Sequence, residues 1–348
     1  MAGWRGKIWS RRDVLGSLSL AGAAALTGLG PKPGTAEPPP ETKTIRLVFD
    51  PVWSGLCYAP LMVAASLFRG EGFTDVRYVK MVKGTTIEVH TLAAGAADMA
   101  AIFPTDLINA VDAGVPFVTL MAVNGPCLEL VGTEHVRTLS DLKAKTVTAA
   151  AVMKDAEAAF LANMLAYAGM DPRKDVHWVV NEPDKSMRLL AEGKVDAFIA
   201  VPPAPQQMRA RKIGHVVLST ATDRPWSQYA CCMAVARREF VQRYPVATKR
   251  ALRAIAKAVQ LCTSEPKRSA RFLIDKKFNL GASYDETLQT LKDVPYAAIW
   301  RDYDPEASLL AHALLMHEIG FIKKTPQQII AQGTDWRFLN ELKKELKA

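Results

Sequence analysis

The chain has 348 residues, 49% hydrophobic and 23% charged, with 44 Lys and Arg against 35 Asp and Glu for a net charge of +9. The composition is globular and the length exceeds what one core usually serves, which predicts two domains or lobes. Ordinary counts of 21 Gly and 21 Pro, with only five scattered cysteines, exclude disordered, collagenous and disulfide-scaffold classes.

Residues 1–36 read as an export signal. Arg5 and Lys7 make a basic start, Ser10-Arg11-Arg12-Asp13-Val14-Leu15 follows, and an Ala/Gly/Leu stretch runs to Gly30 before a small-residue cleavage site at Gly34-Thr35-Ala36. The Arg pair ahead of a mild apolar segment resembles the twin-arginine signal, which carries proteins across the membrane already folded. No cysteine follows until Cys57, so a soluble periplasmic protein is expected and not a lipoprotein. No apolar run of transmembrane length occurs after this segment. Removing it takes five basic residues and one acidic residue, leaving 39 against 34, or +5. That remainder forms no Lys/Arg tract, which argues against nucleic acid as a partner. Residues 37–43, rich in proline, read as an extended tether.

From Thr44 short apolar runs alternate with helical segments. Strands are expected at 45–49, 76–82, 99–103, 117–123 and 128–131, with helices at 59–68, 86–94 and 106–113. The pattern restarts after Ser140-Asp141-Leu142-Lys143, with strands at 146–152, 178–180, 195–201 and 216–218 and helices at 156–168 and 185–192. Such alternation predicts open, mostly parallel sheets covered on both faces. Two segments echo each other. Leu92-Ala93-Ala94-Gly95-Ala96-Ala97-Asp98 and Leu190-Ala191-Glu192-Gly193-Lys194-Val195-Asp196 share Leu, Ala, Gly and Asp at equal offsets, and each leads through five apolar or small residues to a proline, Pro104 or Pro202. The echo predicts two related lobes. A last strand at 229–236 precedes a long helical tail, whose apolar residues recur at helical spacing. Packed back on the first lobe, the tail makes the chain cross between lobes twice, near residues 133–139 and 222–228, which is the arrangement of a hinge. The expected division is therefore 44–135 and 226–348 for the first lobe and 136–225 for the second.

Catalytic motifs are absent: there is no phosphate loop, nucleophile elbow, His-Glu-x-x-His or Cys-x-x-Cys. The six histidines stand singly, and no metal or cofactor is expected. Cys231 and Cys232 are adjacent on an expected strand, so their side chains should point to opposite faces and serve as small buried groups. Candidate ligand contacts lie instead at strand ends, where open α/β sheets bind. They are Asp50, Trp53 and Ser54 after the first strand, Lys83, Thr85 and Thr86 after the second, and Phe103, Pro104 and Thr105 after the third. Asn124 ends the fourth strand, Met153 and Lys154 follow the first strand of the second lobe, and Val201 and Pro202 follow a later one. Trp226 and Tyr229 would complete a wall at the second crossing. N-capping or lobe packing is the alternative role for each.

At Tyr58-Ala59-Pro60, Ala94-Gly95-Ala96-Ala97-Asp98, Ala113-Gly114-Val115-Pro116-Phe117, Leu139-Ser140-Asp141-Leu142-Lys143-Ala144-Lys145-Thr146-Val147 and Ala191-Glu192-Gly193-Lys194-Val195-Asp196-Ala197, the chain resembles type II periplasmic solute-binding proteins of ABC importers. The similar branch is the nitrate/sulfonate/taurine one, which also includes thiamine-pyrimidine binding proteins. Ala144 stands where the family usually has Gly. The resemblance implies a two-lobed α/β fold, each lobe an open mixed sheet flanked by helices, with two hinge crossings. It also implies a clamp that closes on a small molecule and presents it to a membrane permease and its ATPase, with no catalysis. Ligand identity does not follow from it. Helix N-termini together with Lys83 and Lys154 lean towards an anionic or carboxylate-bearing solute. A periplasmic ligand sensor and an enzyme of the thiamine-pyrimidine type are the alternatives.

Overall fold

The computed structural model describes residues 37–81, 88–297 and 299–346. The export signal, and with it Lys83, Thr85 and Thr86, lies outside the described residues. Two five-stranded mixed sheets carry the molecule. The first contains β1 (Thr44–Val48), β2 (Asp75–Val79), β3 (Met99–Ile102), β4 (Phe117–Asn124) and β10 (Cys232–Arg237), in the order β2-β1-β3-β10-β4. The second contains β5 (Glu129–Gly132), β6 (Lys145–Ala149), β7 (Val176–Val180), β8 (Ala197–Ala200) and β9 (His215–Ser219), in the order β7-β6-β8-β5-β9.

The two sheets follow one plan. In the first, β1 pairs in parallel with β2 and β3, while β10 is antiparallel to β3 and β4. In the second, β6 pairs in parallel with β7 and β8, while β5 is antiparallel to β8 and β9. Thus β5 takes the place in its sheet that β10 takes in the other. Every residue of the central strands β3 and β8 is buried, as strands covered by helices on both faces require, and the edge strand β4 is buried throughout as well.

The first crossing lies earlier than the sequence suggests. The run 128–131 reads as a fifth strand of the first lobe, yet β5 pairs only within the second sheet, so the chain leaves the first sheet between Asn124 and Glu129 and not at 133–139. A packing constraint fixes β5 there: a Cβ at Gly132 would stand 2.8 Å from Val217 and 2.9 Å from Val136. The tether also ends sooner than expected, because the Glu41 carboxylate accepts the backbone N–H groups of Val246 and Ala247 at 2.9 and 2.8 Å. Those groups open the 20-residue helix Pro245–Ser264, and a carboxylate there satisfies otherwise orphan donors.

The echoed aspartates do equivalent work. Asp98 Oδ2 accepts the N–H of Arg46 on β1 at 3.0 Å, and Asp196 Oδ2 accepts the N–H of Thr146 on β6 at 2.8 Å. Each returns its own N–H to the carbonyl of the same partner, at 2.8 Å in both sheets. Among the described residues, no helix is long and apolar enough to cross a membrane.

Candidate functional site: a cleft between two sheets

β1 and β3 of the first sheet and β6, β7 and β8 of the second end on one cleft of about 280 Å³. The loop after β1 contributes Pro51 to Gly55 and the end of β3 contributes Phe103. From the second sheet come Ala150 and Ala151 after β6, Glu182 to Asp184 after β7, and Val201 to Ala204 after β8. Binding at the carboxyl ends of strands follows from the topology, since these loops alone are free to face a ligand.

The two walls meet at Leu56, and Gly55 beside it lets its own loop turn tightly over Cys57. Leu56 N–H donates to the Pro202 carbonyl at 2.8 Å, and a Cβ on Gly55 would stand 2.8 Å from Cys57 Sγ. Asp50 shapes this loop without lining the cleft: its Oδ1 accepts the N–H groups of Val52 and Trp53 at 2.9 and 3.3 Å, and its own N–H donates to Ser54 Oγ at 3.0 Å. Trp53, Tyr58 and Phe103 supply the aromatic surface.

The charge-bearing side chains that line the cleft among the described residues are acidic. Glu88, Glu157, Glu182 and Asp184 line it, and no Lys or Arg does so among the described residues. Glu88 is 4% exposed and accepts a hydrogen bond from Ser54 Oγ at 3.1 Å. Burial raises its carboxyl to about 8 despite that bond and one from its own backbone. Glu157, 3% exposed, accepts the Ala150 N–H at 2.6 Å, and burial again prevails, raising it to about 7. Gln207 adds an amide.

Beside the cleft the two halves are latched. Helix α1 of this region (Pro104–Asp112) meets helix α2 (Ala156–Tyr167) through its first turn. Asp106 Oδ1 accepts the Ala156 N–H at 2.6 Å, and Thr105 Oγ1 donates to the Ala156 carbonyl at 3.1 Å. Asn109 Nδ2 donates to the Lys154 carbonyl. Ala156 has φ of +46°, a left-handed conformation that costs a non-glycine residue roughly 1 kcal/mol or more, so these contacts hold a strained residue.

Trp53, Ser54, Phe103, Val201 and Pro202 thus lie on the cleft, while the other described candidates lie elsewhere. Pro104 and Thr105 belong to the latch region, and Asn124 is buried at the first crossing, where its Nδ2 donates to the Gly125 carbonyl at 2.9 Å. Met153 packs against the core, and the Lys154 ammonium stands 5.7 Å above the Phe321 ring. Trp226 is 5% exposed and packs edge-on against Tyr167 at 5.5 Å, and Tyr229 faces His312 at 6.0 Å. Trp226→Ala is therefore expected to lower stability by about 3 kcal/mol, read by urea unfolding, with ligand affinity of the folded protein unchanged. A large affinity loss with unchanged stability would place Trp226 back in the site.

Sequence reasoning missed Glu88, Glu157, Glu182 and Asp184. A signal existed: Glu157 and Asp184 stand in the first turns of helices that follow strands, but acidic residues there also suit the helix dipole and read as caps. The expected divergence of Cys231 and Cys232 is also corrected. Cys231 sits in the bend before β10, so the strand alternation does not apply to it. No group of three or more His, Cys, Asp or Glu among the described residues is arranged to hold a metal ion.

Two mixed sheets of identical order, joined by two crossings and opening on a shared cleft, define the periplasmic-binding-protein fold. The chain belongs to the NMT1-like family, whose model matches residues 39–273. Its structure is similar to the nitrate-binding protein NrtA from Synechocystis PCC 6803, with 17% identity over 89% of this chain and 90% of that one and a TM-score of 0.74. It is also similar to the alkanesulfonate-binding protein SsuA from Xanthomonas axonopodis pv. citri, with 17% identity, 87% and 100% coverage and a TM-score of 0.68. A third similar structure, the aliphatic sulphonate binding protein SsuA from Escherichia coli, has 18% identity, 84% and 98% coverage and a TM-score of 0.64. No curated protein matches the chain.

Proposed function

We propose that this protein is the solute-binding component of an ABC-type importer: it closes two lobes around a small organic solute and delivers it to a membrane permease coupled to an ATPase. The observation that carries the reading is the cleft itself, lined from both sheets by strand-end loops and bridged by backbone contact between Leu56 and Pro202. The lobes are taken as 40–125 with 230–346, and 129–219, meeting at the two crossings. A ligand that touches both lobes binds the closed state better and so stabilises it. Residues 1–36 act as a twin-arginine signal cleaved near Ala36, placing the mature protein in the periplasm. The protein performs no chemistry on its ligand.

The lining favours a ring-shaped solute that presents N–H donors or a positive charge. Aromatic faces of Trp53, Tyr58 and Phe103 suit a flat ring, and Glu88, Glu157, Glu182 and Asp184 suit donors. The nitrate- and sulfonate-binding neighbours favour an anion as the second reading. That reading would rest on the helix N-termini that open on the cleft, because none of the described lining residues is Lys or Arg.

Mass spectrometry of solute released by gentle unfolding tests the proposal, an unmodified nitrogen-bearing ring compound being the expected result. A chemically altered product would sink the binding account, and exclusive thermal stabilisation by nitrate or alkanesulfonates would sink the assigned ligand class. Trp53→Ala is expected to weaken binding of the recovered solute at least tenfold, about 1.4 kcal/mol, in calorimetric titration, with the fold intact. Unchanged affinity would mean that the ring does not stack there.

A further inference from the structure

Four of the five cysteines gather at one buried point beside the cleft. Cys57 lies in the turn after β1, Cys127 on the first crossing, and Cys231 and Cys232 at the end of the second. All are free thiols, and none is more than 6% exposed. Cys127 Sγ donates to Cys231 Sγ at 3.2 Å, and Asn124 Nδ2 donates to Cys127 Sγ at 3.5 Å. The Cys57 thiol interacts with those of Cys127 and Cys232, and Cys231 interacts with Cys232, so the four form a closed set. Cys262 stands apart, beside Ser269.

The placement of the closest pair is informative. Cys127 follows β4 on the first passage between the sheets, and Cys231 immediately precedes β10 on the return. We propose that Cys127 and Cys231 are a disulfide-forming pair, and that their oxidation covalently joins the two crossings of the fold. The two sulfurs need approach by only about 1.2 Å to reach a bond length near 2.0 Å. Cys231 and Cys232 are less suited, because a bond between neighbours in sequence would distort the peptide that leads into β10. The loop closed by a Cys127–Cys231 bond contains the whole second sheet, so the bond constrains the link between the sheets and not a local turn.

The oxidant class is a peroxide, small enough to reach a buried sulfur. Burial opposes ionisation of Cys231, but donation from Cys127 and Cys232 outweighs it and lowers this thiol, while burial raises Cys127. Cys57 is lowered as well, but of the closely placed pair Cys231 is the lowered thiol and so the attacking thiolate. Its sulfur displaces hydroxide from the peroxide as the O–O bond breaks, giving a sulfenic acid, and the proton released on ionisation converts the hydroxide to water. The Cys127 sulfur then attacks the sulfenic sulfur, the S–O bond breaks, and the departing hydroxide takes the Cys127 proton as a second water. Two thiols and one peroxide become one disulfide and two waters.

The test uses the mature protein, reduced with dithiothreitol, freed of reductant and treated with stoichiometric hydrogen peroxide while folded. Peptide mass spectrometry without reduction should find residues 127 and 231 linked, with a mass loss of two hydrogens reversed by dithiothreitol. Amide exchange over 124–128 and 229–232 should slow at least tenfold in the oxidised form. Cys57→Ser should retain the link and Cys231→Ser should lose it. A dominant link through Cys57 or Cys232, a folded protein that accumulates no link, or exchange unchanged by the link would each overturn the proposal. None of these readouts requires the importer assignment or its ligand.

Discussion

Asp98→Ala is expected to destabilise the protein by about 3–5 kcal/mol, whereas Asp196→Ala at the echoed position should cost about 1–2 kcal/mol. The two aspartates share a backbone role but not an environment. The Asp98 side chain is 7% exposed, and its Oδ1 lies 2.6 Å from an Arg46 guanidinium nitrogen and 3.2 Å from one of Arg237. Its Oδ2 also accepts Arg46 Nε at 3.1 Å. Truncation would leave two partly buried guanidinium groups facing each other with no carboxylate between them. Asp196 is 31% exposed and among the described residues pairs only with Lys145, at 3.6 Å, so water compensates much of its loss. Urea midpoints of the two variants, measured with an unchanged slope, check the contrast. Both residues stand at strand starts, away from the cleft, so the folded variants should keep wild-type ligand affinity. Equal destabilisation would mean that the charge network around Asp98 contributes no more than its backbone bonds.

This contrast marks what could be read from the residues alone. The Gly-x-x-Asp echo revealed a repeated unit because helix end, aspartate and buried strand are consecutive in the chain, and both sheets use it in the same way. The burial of β3 and β8 was legible for the same reason. The first crossing was not, because an apolar run such as 128–131 reads identically whichever sheet it joins, and only pairing with β8 and β9 decides. The strand-end rule located Trp53, Ser54, Phe103, Val201 and Pro202 at the cleft, yet it could not sort lining from latch. Thr105 sits one residue beyond the loop end, and its hydroxyl turns to the Ala156 carbonyl instead. The carboxylates were missed since a Glu near a helix start looks like ordinary capping until folding buries it. Trp226 at the second crossing suits a cleft wall or lobe packing equally in the sequence, and its ring packs on Tyr167.

Those buried carboxyls give the second large effect, an affinity for a cationic ring solute that rises between pH 6 and 8 by up to about tenfold per unit for each carboxyl that loses its proton on binding. The sign follows from the unliganded protein. Burial holds Glu88 protonated up to about 8 and Glu157 up to about 7, whereas in the unfolded chain both ionise near 4.5. Their contribution to stability is thus fully present below about 4.5 and is lost as pH rises through 7 and 8. His312 acts in the opposite direction: burial lowers it to about 4, so its contribution is lost as pH falls from about 6.5 through 4. In thermal unfolding of the empty protein the contribution of the two carboxyls should accordingly fall on the alkaline side and that of His312 on the acidic side. A cationic solute reverses the alkaline limb, because it pairs with the ionised carboxylates and releases their protons on binding, so that each unit of pH favours the complex. An anion would do the reverse, binding best where the carboxyls remain neutral. Glu88→Gln reduces the stability slope up to about pH 8 and Glu157→Gln up to about pH 7, and each flattens the affinity profile below the same limit. Calorimetric titration at pH 6, 7 and 8, in buffers of different ionisation enthalpy, counts the protons released. Affinity that falls with pH, or proton uptake on binding, would reject a cationic ligand while leaving the two-lobed clamp in place.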